Sequence, residues 1–310
     1  MQTPDSRTPL SALTMVGLGR MGANMSRRLA RAGFTVHGFD PESKSRDSLA
    51  DESGVKVHAT LHDAIRALPS PRVVWLMVPA GEATDAALEQ MRELLSASDI
   101  VIDGGNANYQ ESQARALAMG EHGPRFVDCG VSGGVHGLAN GYCLMVGGEK
   151  PVIERLKPLF QALAPAPNQG WVHCGSVGAG HFAKMLHNGI EYGMMQALAE
   201  GFALMMRRPE LIDDPASVAE AWRYGSVVRS WLLDITAGAL AEREALEKVA
   251  PFVADSGEGR WTIDEAIRQG TPVPVIAAAM MTRFDSQGYA DPANRLLAMM
   301  RKGFGGHAVK

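Results

Sequence analysis

Lys184, His187, Asn188 and Glu191 stand at i, i+3, i+4 and i+7. On a helix all four would share one face, with Tyr192 at its edge. An amine, an imidazole, an amide and a carboxylate in one stripe can move protons. A lysine serves as general base where burial or a neighbouring cation lowers its pKa, and a glutamate as general acid where burial raises its own. Spacing alone fits a solvated face equally well, with Lys184 and Glu191 merely neighbours on it. The surroundings favour chemistry: Met185, Leu186, Ile190, Met194, Ala197 and Leu198 make most of the circumference apolar. That pattern predicts a buried helix whose polar stripe lines a cleft. His187 by itself reads more readily as a structural hydrogen-bonding residue.

A second constellation lies near the start, at Gly17-Leu18-Gly19-Arg20-Met21-Gly22. After a strand and before a helix, the first glycine permits a tight turn and the second lets a pyrophosphate approach the backbone. The third lets helix and strand pack closely. The helix N-terminus then offers free N–H groups to the phosphates. A lone GxGxxG is weak, but here the next strand ends in Asp40, about 20 residues on, where a carboxylate would accept from ribose hydroxyls. Its charge would repel a 2′-phosphate, so NAD is expected in preference to NADP. Lys44 and Arg46 lie close enough to soften that discrimination, and Asp40 also reads as a turn residue before Pro41.

The elements that must position these residues follow an alternating order. Leu13 to Val16, Thr35 to Phe39, Val73 to Val78, Ile100 to Asp103 and Phe126 to Cys129 read as short buried strands. Amphipathic stretches at Asn24 to Ala32, Thr84 to Leu95 and Tyr109 to Gly120 separate them. Such alternation implies right-handed crossovers and a mainly parallel, doubly wound sheet of Rossmann type. PAPNQG at Pro165 to Gly170 is a turn-rich break before a last strand at Trp171 to His173. From about Gly180 to Arg207 a helical pattern runs with no proline, and the remainder reads as further helices. We therefore expect an α/β dinucleotide-binding domain over 1–177, with a flexible tail at 1–12, and an all-α substrate and oligomerisation domain over 178–310.

Composition bounds the function classes. Hydrophobic residues at 46% and charged residues at 21% of 310 positions describe a folded globular chain. A formal net charge of -4 gives no electrostatic reason to expect nucleic acid or an anionic membrane as partner. Cys129, Cys143 and Cys174 lack zinc-site spacing and are too few for a disulfide scaffold, which points to a reducing cytoplasm. No run is apolar enough for a membrane span, and the first residues lack a signal peptide's apolar run. Paired methionines such as Met194-Met195 and Met299-Met300 read as adaptable helix packing. His173 and His181 read as structural or exposed.

GLGRMGANM, DGGNANY at Asp103 to Tyr109, CGVSGGVHGLANG at Cys129 to Gly141 and KMLHNGIEYGMMQ at Lys184 to Gln196 together resemble the 6-phosphogluconate dehydrogenase family. The chain resembles its short, NAD-preferring branch within the β-hydroxyacid dehydrogenases, over nearly the whole length. The resemblance implies oxidative decarboxylation of 6-phosphogluconate to ribulose 5-phosphate without a metal, Lys184 acting as general base and Glu191 as general acid. It assigns substrate binding to Asn106, Ser132, Gly133, Gly134, His187, Asn188, Tyr192 and Arg283. Arg301 and His307 match a tail motif that reaches a neighbouring subunit, implying a homodimer or homotetramer. Val78, Pro79, Ala80 and Asn106 would join Gly17 to Gly22 and Asp40 at the cofactor. Three departures are visible: Asp40-Pro41 replaces an Asn-Arg pair suited to NADP, Pro79 in VPAGEATD stands where the common enzyme has a lysine near the cofactor, and DSGEGRWT at Asp255 to Thr262 replaces a lysine- and glycine-rich loop.

Two other readings stand beside this one. A non-decarboxylating dehydrogenase of the 3-hydroxyisobutyrate or tartronate semialdehyde type would keep Lys184 but have no use for Glu191 or a phosphate cluster. A catalytically silent NAD-binding protein would need neither Lys184 nor Glu191.

Overall fold

The computed structural model describes residues 10–305, the side chains of 302–305 excepted. Most of the expected tail, at residues 1–9, and His307 therefore lie outside the described residues. The chain alternates β1 (Ala12–Val16), α1 (Arg20–Arg31), β2 (Thr35–Phe39), α2 (Ser43–Asp47), β3 (Val55–His58), α3 (Leu61–Arg66), β4 (Val73–Leu76), α4 (Glu82–Met91), β5 (Ile100–Asp103) and α5 (Tyr109–Met119). Then follow β6 (Arg125–Ser132), a short α6 (Gly137–Asn140), β7 (Cys143–Gly147), α7 (Lys150–Leu163) and β8 (Trp171–Gly175). The sheet order is β3-β2-β1-β4-β5-β6-β7-β8. All neighbouring pairs are parallel except β6 and β7. The doubly wound expectation is met, and the order reverses between β1 and β4, where such sheets bind ligands.

Buried strands carry side chains to both faces, and each face has its own core. Leu13, Met15, Trp75 and Ile102 pack with Met25 and Leu29 of α1 and with Leu156 and Phe160 of α7. Val16, Val74, Leu76 and Val101 point the other way, onto Leu61, Ile65, Leu88 and Met91. Arg28 of α1 closes the first layer, its guanidinium donating to Leu163 O at 2.9 Å and Ala164 O at 2.6 Å. Those are carbonyls that the end of α7 leaves without helical partners.

β3 and β7 are additions to the expected strands, and β6 extends past Cys129 to Ser132. α8 (Ala179–Met206) matches the long helix, and α9 (Pro215–Trp222), α10 (Trp231–Ala241), α11 (Arg243–Glu247), α12 (Glu258–Gln269), α13 (Pro274–Ser286) and α14 (Asp291–Gly305) complete the chain. Two compact units divide within α8, between Met185 and Leu186. In the helical unit the cores are smaller: Phe202 with Leu233 and Ala237, and Tyr192 with Ala279 and Met280. The expectation of a buried α8 is corrected. Tyr192 and Phe202 are buried, but Ile190 is 56% and Leu204 70% exposed. An apolar circumference predicts burial against something, and within this chain only part of it is covered.

One pair of histidines ties the outer strands. His37 on β2 and His58 on β3 stack with ring centroids 5.1 Å apart, and His37 Nδ1 lies 2.9 Å from His58 Nε2. Such a contact needs one ring to donate and the other to accept, so at least one stays neutral. Burial is the first cause lowering both pKa values; Lys56 adds to it in each case, His58 adds to it for His37, and Asp63 opposes it for His58. Folded pKa values below the unfolded one mean that the unfolded chain binds protons more readily. Stability is then complete above about pH 6.5 and falls as pH drops below it. The thermal unfolding midpoint should fall on going from pH 7.5 to about 5.5, and His58→Gln, which keeps a hydrogen-bonding partner for His37, should shrink that fall. An equal fall in both proteins would refute the assignment.

Candidate active site

β1 ends at Val16 and α1 begins at Arg20, so Gly17 to Gly19 turn the chain between them. Gly17 adopts φ 89°, and a Cβ there would stand 2.5 Å from Met77 O. At Gly22 a Cβ would stand 1.9 Å from Gly17 O, so neither position accepts a side chain. At Gly19 a Cβ would meet nothing within 4 Å: its bare backbone faces open space. Gly19 caps α1 without a side-chain hydrogen bond, and no acidic residue sits in the first turn. The leading N–H groups thus remain for an anion.

Beside this turn is a cleft of about 430 Å³ lined by Val16, Phe39, Leu61 and Ala87, and also by Gly17, Gly19, Asp40, Val78 and Pro79. A mainly apolar slot with one carboxylate on its wall fits an aromatic base joined to a hydroxylated ring, and the adjoining helix N-terminus fits the phosphates that follow. Asp40 is held in place: Oδ2 accepts from Leu18 N at 2.7 Å and Oδ1 from Glu42 N at 2.9 Å. Arg46 donates Nη1 to the main-chain oxygens of Asp40 and Pro41, at 2.6 and 3.1 Å. Arg20 is exposed and Met21 half-buried on the first turn of α1, and Ala80 is exposed past Pro79.

The same unit places Lys184. Its Nζ donates to Asn106 Oδ1, in the loop that follows β5. The approach requires Gly130 on β6, where a Cβ would come within 2.3 Å of Lys184 Cβ and 3.0 Å of Gly180 O. Two residues on, Ser132 ends β6, and Gly133 and Gly134 turn at φ 129° and 51°. Lys184, Asn106 and Ser132 are all half-buried.

In the helical unit, His187 Nδ1 lies 3.0 Å from Asn188 Oδ1 and 3.8 Å from Glu191 Oε2. Glu191 keeps 38% of its side chain exposed. Gly189 lets α8 meet α12, since a Cβ there would be 2.8 Å from Thr262 Cγ2. Tyr192 is buried, its hydroxyl accepting from Ser256 N at 3.1 Å. The Arg283 guanidinium lies 3.6 Å over the Tyr192 ring and donates to Ala254 O at 2.6 Å. Arg301 is exposed on α14. A cation that the sequence reading did not single out, Arg260, holds Asp255 through two bonds of 3.1 and 2.9 Å and keeps its carboxyl below the usual range. It stands in the DSGEGRWT segment, where only that arginine signalled a basic group.

Two buried groups lie near Lys184, only one of which, His181, was named from the sequence. Asp128 sits wholly buried on β6, in a run whose Val and Cys neighbours signal only a strand. His181, read as structural or exposed, is structural: it is 1% accessible, with Nδ1 2.7 Å from Ser112 Oγ. By contrast His173, partly exposed, bonds the carbonyls of Gly148 and Gly175.

Comparison with known proteins identifies the family. Residues 12–177 match the profile of the NAD binding domain of 6-phosphogluconate dehydrogenase, and residues 180–302 that of the 6-phosphogluconate dehydrogenase C-terminal domain. The chain is 40% identical over 299 residues to the NAD(+)-dependent, decarboxylating 6-phosphogluconate dehydrogenase of Haloferax volcanii, covering 96% of this chain and 98% of that one. It is 36% identical to the decarboxylating 6-phosphogluconate dehydrogenase of Staphylococcus aureus, covering 88% of this chain but spanning only 60% of that longer protein. The structure of Plasmodium falciparum 6-phosphogluconate dehydrogenase, described with NADP+ and with 6-phosphogluconate, superposes at a TM-score of 0.84 and 27% identity, over 95% of this chain and 65% of that one. With both of its parts matched in order by the two domains of one family, the chain belongs to the 6-phosphogluconate dehydrogenases.

Proposed function

We propose that this chain catalyses the oxidative decarboxylation of 6-phosphogluconate to ribulose 5-phosphate and carbon dioxide, with NAD as the preferred oxidant. The observation that carries the reading is the contact of Lys184 Nζ with Asn106 at the carboxyl end of β5, with Glu191 on the same helix two turns further along. A nicotinamide dinucleotide held by Gly17 to Gly22 and Asp40 would supply the hydride acceptor for the substrate's C3. Lys184 takes the proton of the 3-hydroxyl, which lets the C3–O bond become a carbonyl. The carbonyl is β to the carboxylate and receives the electrons released as carbon dioxide leaves. Lys184, now an ammonium, stabilises the enolate oxygen. Glu191 delivers a proton to the substrate's C2, which becomes C1 of ribulose 5-phosphate. Asn106, Ser132, Gly133 and Gly134 would hold the carboxylate and hydroxyls, with His187, Asn188 and Tyr192 orienting the chain of carbons. Arg283 is the candidate phosphate ligand, its planar fork suited to bidentate binding.

NAD preference rests on Asp40, whose carboxylate is fixed by Leu18 N on the wall of the cleft, where it would repel a 2′-phosphate. A Haloferax relative described as NAD(+)-dependent supports it. Assembly into a homo-oligomer is supported by the apolar surface of the helical unit, where Val227, Val275 and Leu296 are among the exposed residues. Arg301, with His307, would complete a neighbour's site. No helix among the described residues is long and apolar enough to cross a membrane.

The test is a reduction assay with NAD and NADP across phosphorylated and unphosphorylated sugar acids, with carbon dioxide measured in parallel. We expect equal yields of NADH and carbon dioxide from 6-phosphogluconate, and Glu191→Gln should lower turnover by about 10²- to 10⁴-fold, the range of general-acid catalysis. NADH without carbon dioxide from the unmodified protein would end the reading. Asp40→Asn should raise the NADP-to-NAD ratio of kcat/KM by roughly tenfold or more, as removing one close charge of about 1.4 kcal/mol would; an unchanged ratio would remove Asp40 from cofactor choice. Lys184→Ala and Arg301→Ala, each inactive alone, should recover partial activity when co-assembled, and failure to recover would count against exchange of the tail.

A further inference from the structure

Lys184 is useful only if its amine is held beside Asn106, and a flexible side chain does not hold itself. The groups beneath it are unusual. Asp128, buried on β6, turns its carboxylate to the start of α8: Oδ1 accepts from Gly178 N at 2.6 Å and Oδ2 from His181 N at 2.8 Å. A buried anion accepting two N–H groups at a helix N-terminus is held by charge-assisted bonds and by the helix dipole together. The fit leaves no slack. A Cβ at Gly180 would stand 2.4 Å from Met145 O, and one at Gly147 2.3 Å from Asp128 Oδ1.

His181 carries the constraint onward. Its ring reaches α5 through Ser112 Oγ at 2.7 Å. Nε2 closes no hydrogen bond of normal geometry, yet it lies against the Gly105 peptide, next to Asn106. One helical turn later on the same face comes Lys184. Both ends of the Lys184–Asn106 contact thus lead to one ring: the lysine through a turn of α8, the amide through Ser112 on α5, a helix capped by Asn108 two residues after Asn106. The charged groups that face the ring are Asp128 from β6, Lys184 from α8 and Arg115 from α5. Burial, the largest cause, lowers its pKa to about 4 against the opposing pull of Asp128. The ring is therefore uncharged near neutral pH and adds no repulsion to the lysine.

We propose that Asp128 and His181 are positioning residues for Lys184: the carboxylate fixes the first turn of α8 on the sheet, and the imidazole, anchored by Ser112, holds that turn against the loop that carries Asn106. The proposal rests on reading Lys184 as the proton acceptor, and it concerns residues that touch neither substrate nor cofactor.

Asp128→Asn keeps the shape but cannot accept from both N–H groups without turning its amide toward one of them. It should lower kcat by about 10- to 100-fold, the scale on which a misplacement of about 1 Å acts. The KM for the dinucleotide should stay within about twofold, and the acid limb of the kcat profile should move. Ser112→Ala, a milder change, should act in the same direction by roughly 3- to 10-fold, and it decides the matter if Asp128→Asn does not fold. A readout independent of turnover is the rate at which an amine-reactive label modifies Lys184 relative to the exposed Lys44 and Lys56, followed by mass spectrometry. That ratio should change in both variants. Folded variants with kcat within twofold of the parent, an unmoved acid limb and an unchanged labelling ratio would overturn the proposal. If the parent turns over no sugar acid while the labelling ratio still responds, the proposed reaction fails and the positioning role stands.

Discussion

The structure depends on one close approach, that of the first turns of α8 to the backbone of β6 and β7. Gly130, Gly147 and Gly180 meet there with so little room that a methyl on any of them would overlap a neighbouring atom at 2.3–2.4 Å. Overpacking of this kind typically costs about 1–3 kcal/mol, but energy is the smaller consequence. Because no side chain stands at Gly130, the stem of Lys184 lies directly on the strand, and its length suffices to bring Nζ to Asn106.

The cofactor loop uses the same device for a different end. Gly22 lets α1 pack on the chain at Gly17, while Gly19 leaves open space above the backbone for a phosphate. Both approaches are made against a sheet that cannot give way, because its two faces are filled separately. Trp75 and Phe160, fully buried and edge to face at 6.1 Å, stiffen one layer. The helical unit is built otherwise. Its clusters around Tyr192 and Phe202 are small, and much of its apolar surface is exposed. Exposed apolar surface of this extent is what marks interaction sites on folded chains.

Legibility followed the physics of each element. β2 and β5 were read to the residue because each is a compact apolar run with turn residues at its ends. β3, Val-Lys-Val-His, is an edge strand with one buried side chain, so its alternation carries little hydrophobic signal. β7 was hidden behind a glycine-rich stretch and pairs antiparallel to β6, outside the βαβ rhythm that revealed the others. The long helix was found to within a residue at each end, yet its burial was misjudged: a helical period shows which face is apolar, not whether the chain itself covers it. For the candidate site, spacing pointed to Lys184 and Glu191 because they lie on one helix. It could not expose Asp128 or the role of His181, because β6, α5 and the start of α8, which their hydrogen bonds join, are far apart in the sequence.

Three aspartates on parallel strands show how far environment outweighs residue type. Asp40 follows β2 at the cleft, half-buried and held by two N–H groups, so a carboxylate there can still meet a ligand. Asp103 ends β5 in full burial, which raises its pKa against the Gly105 N–H bond and the Arg115 charge 3.6 Å away. Asp128, its register partner on β6, is equally buried but has the N-terminus of a 28-residue helix before it. One side chain stands on the wall of a cleft, one braces the loop that holds Asn106, and one seats the helix that holds Lys184. The last two converge on a single contact between two segments 78 residues apart. That convergence explains why the site tolerates a half-exposed lysine: its precision is set beneath it, in the buried carboxylates, rather than by enclosure of the amine itself.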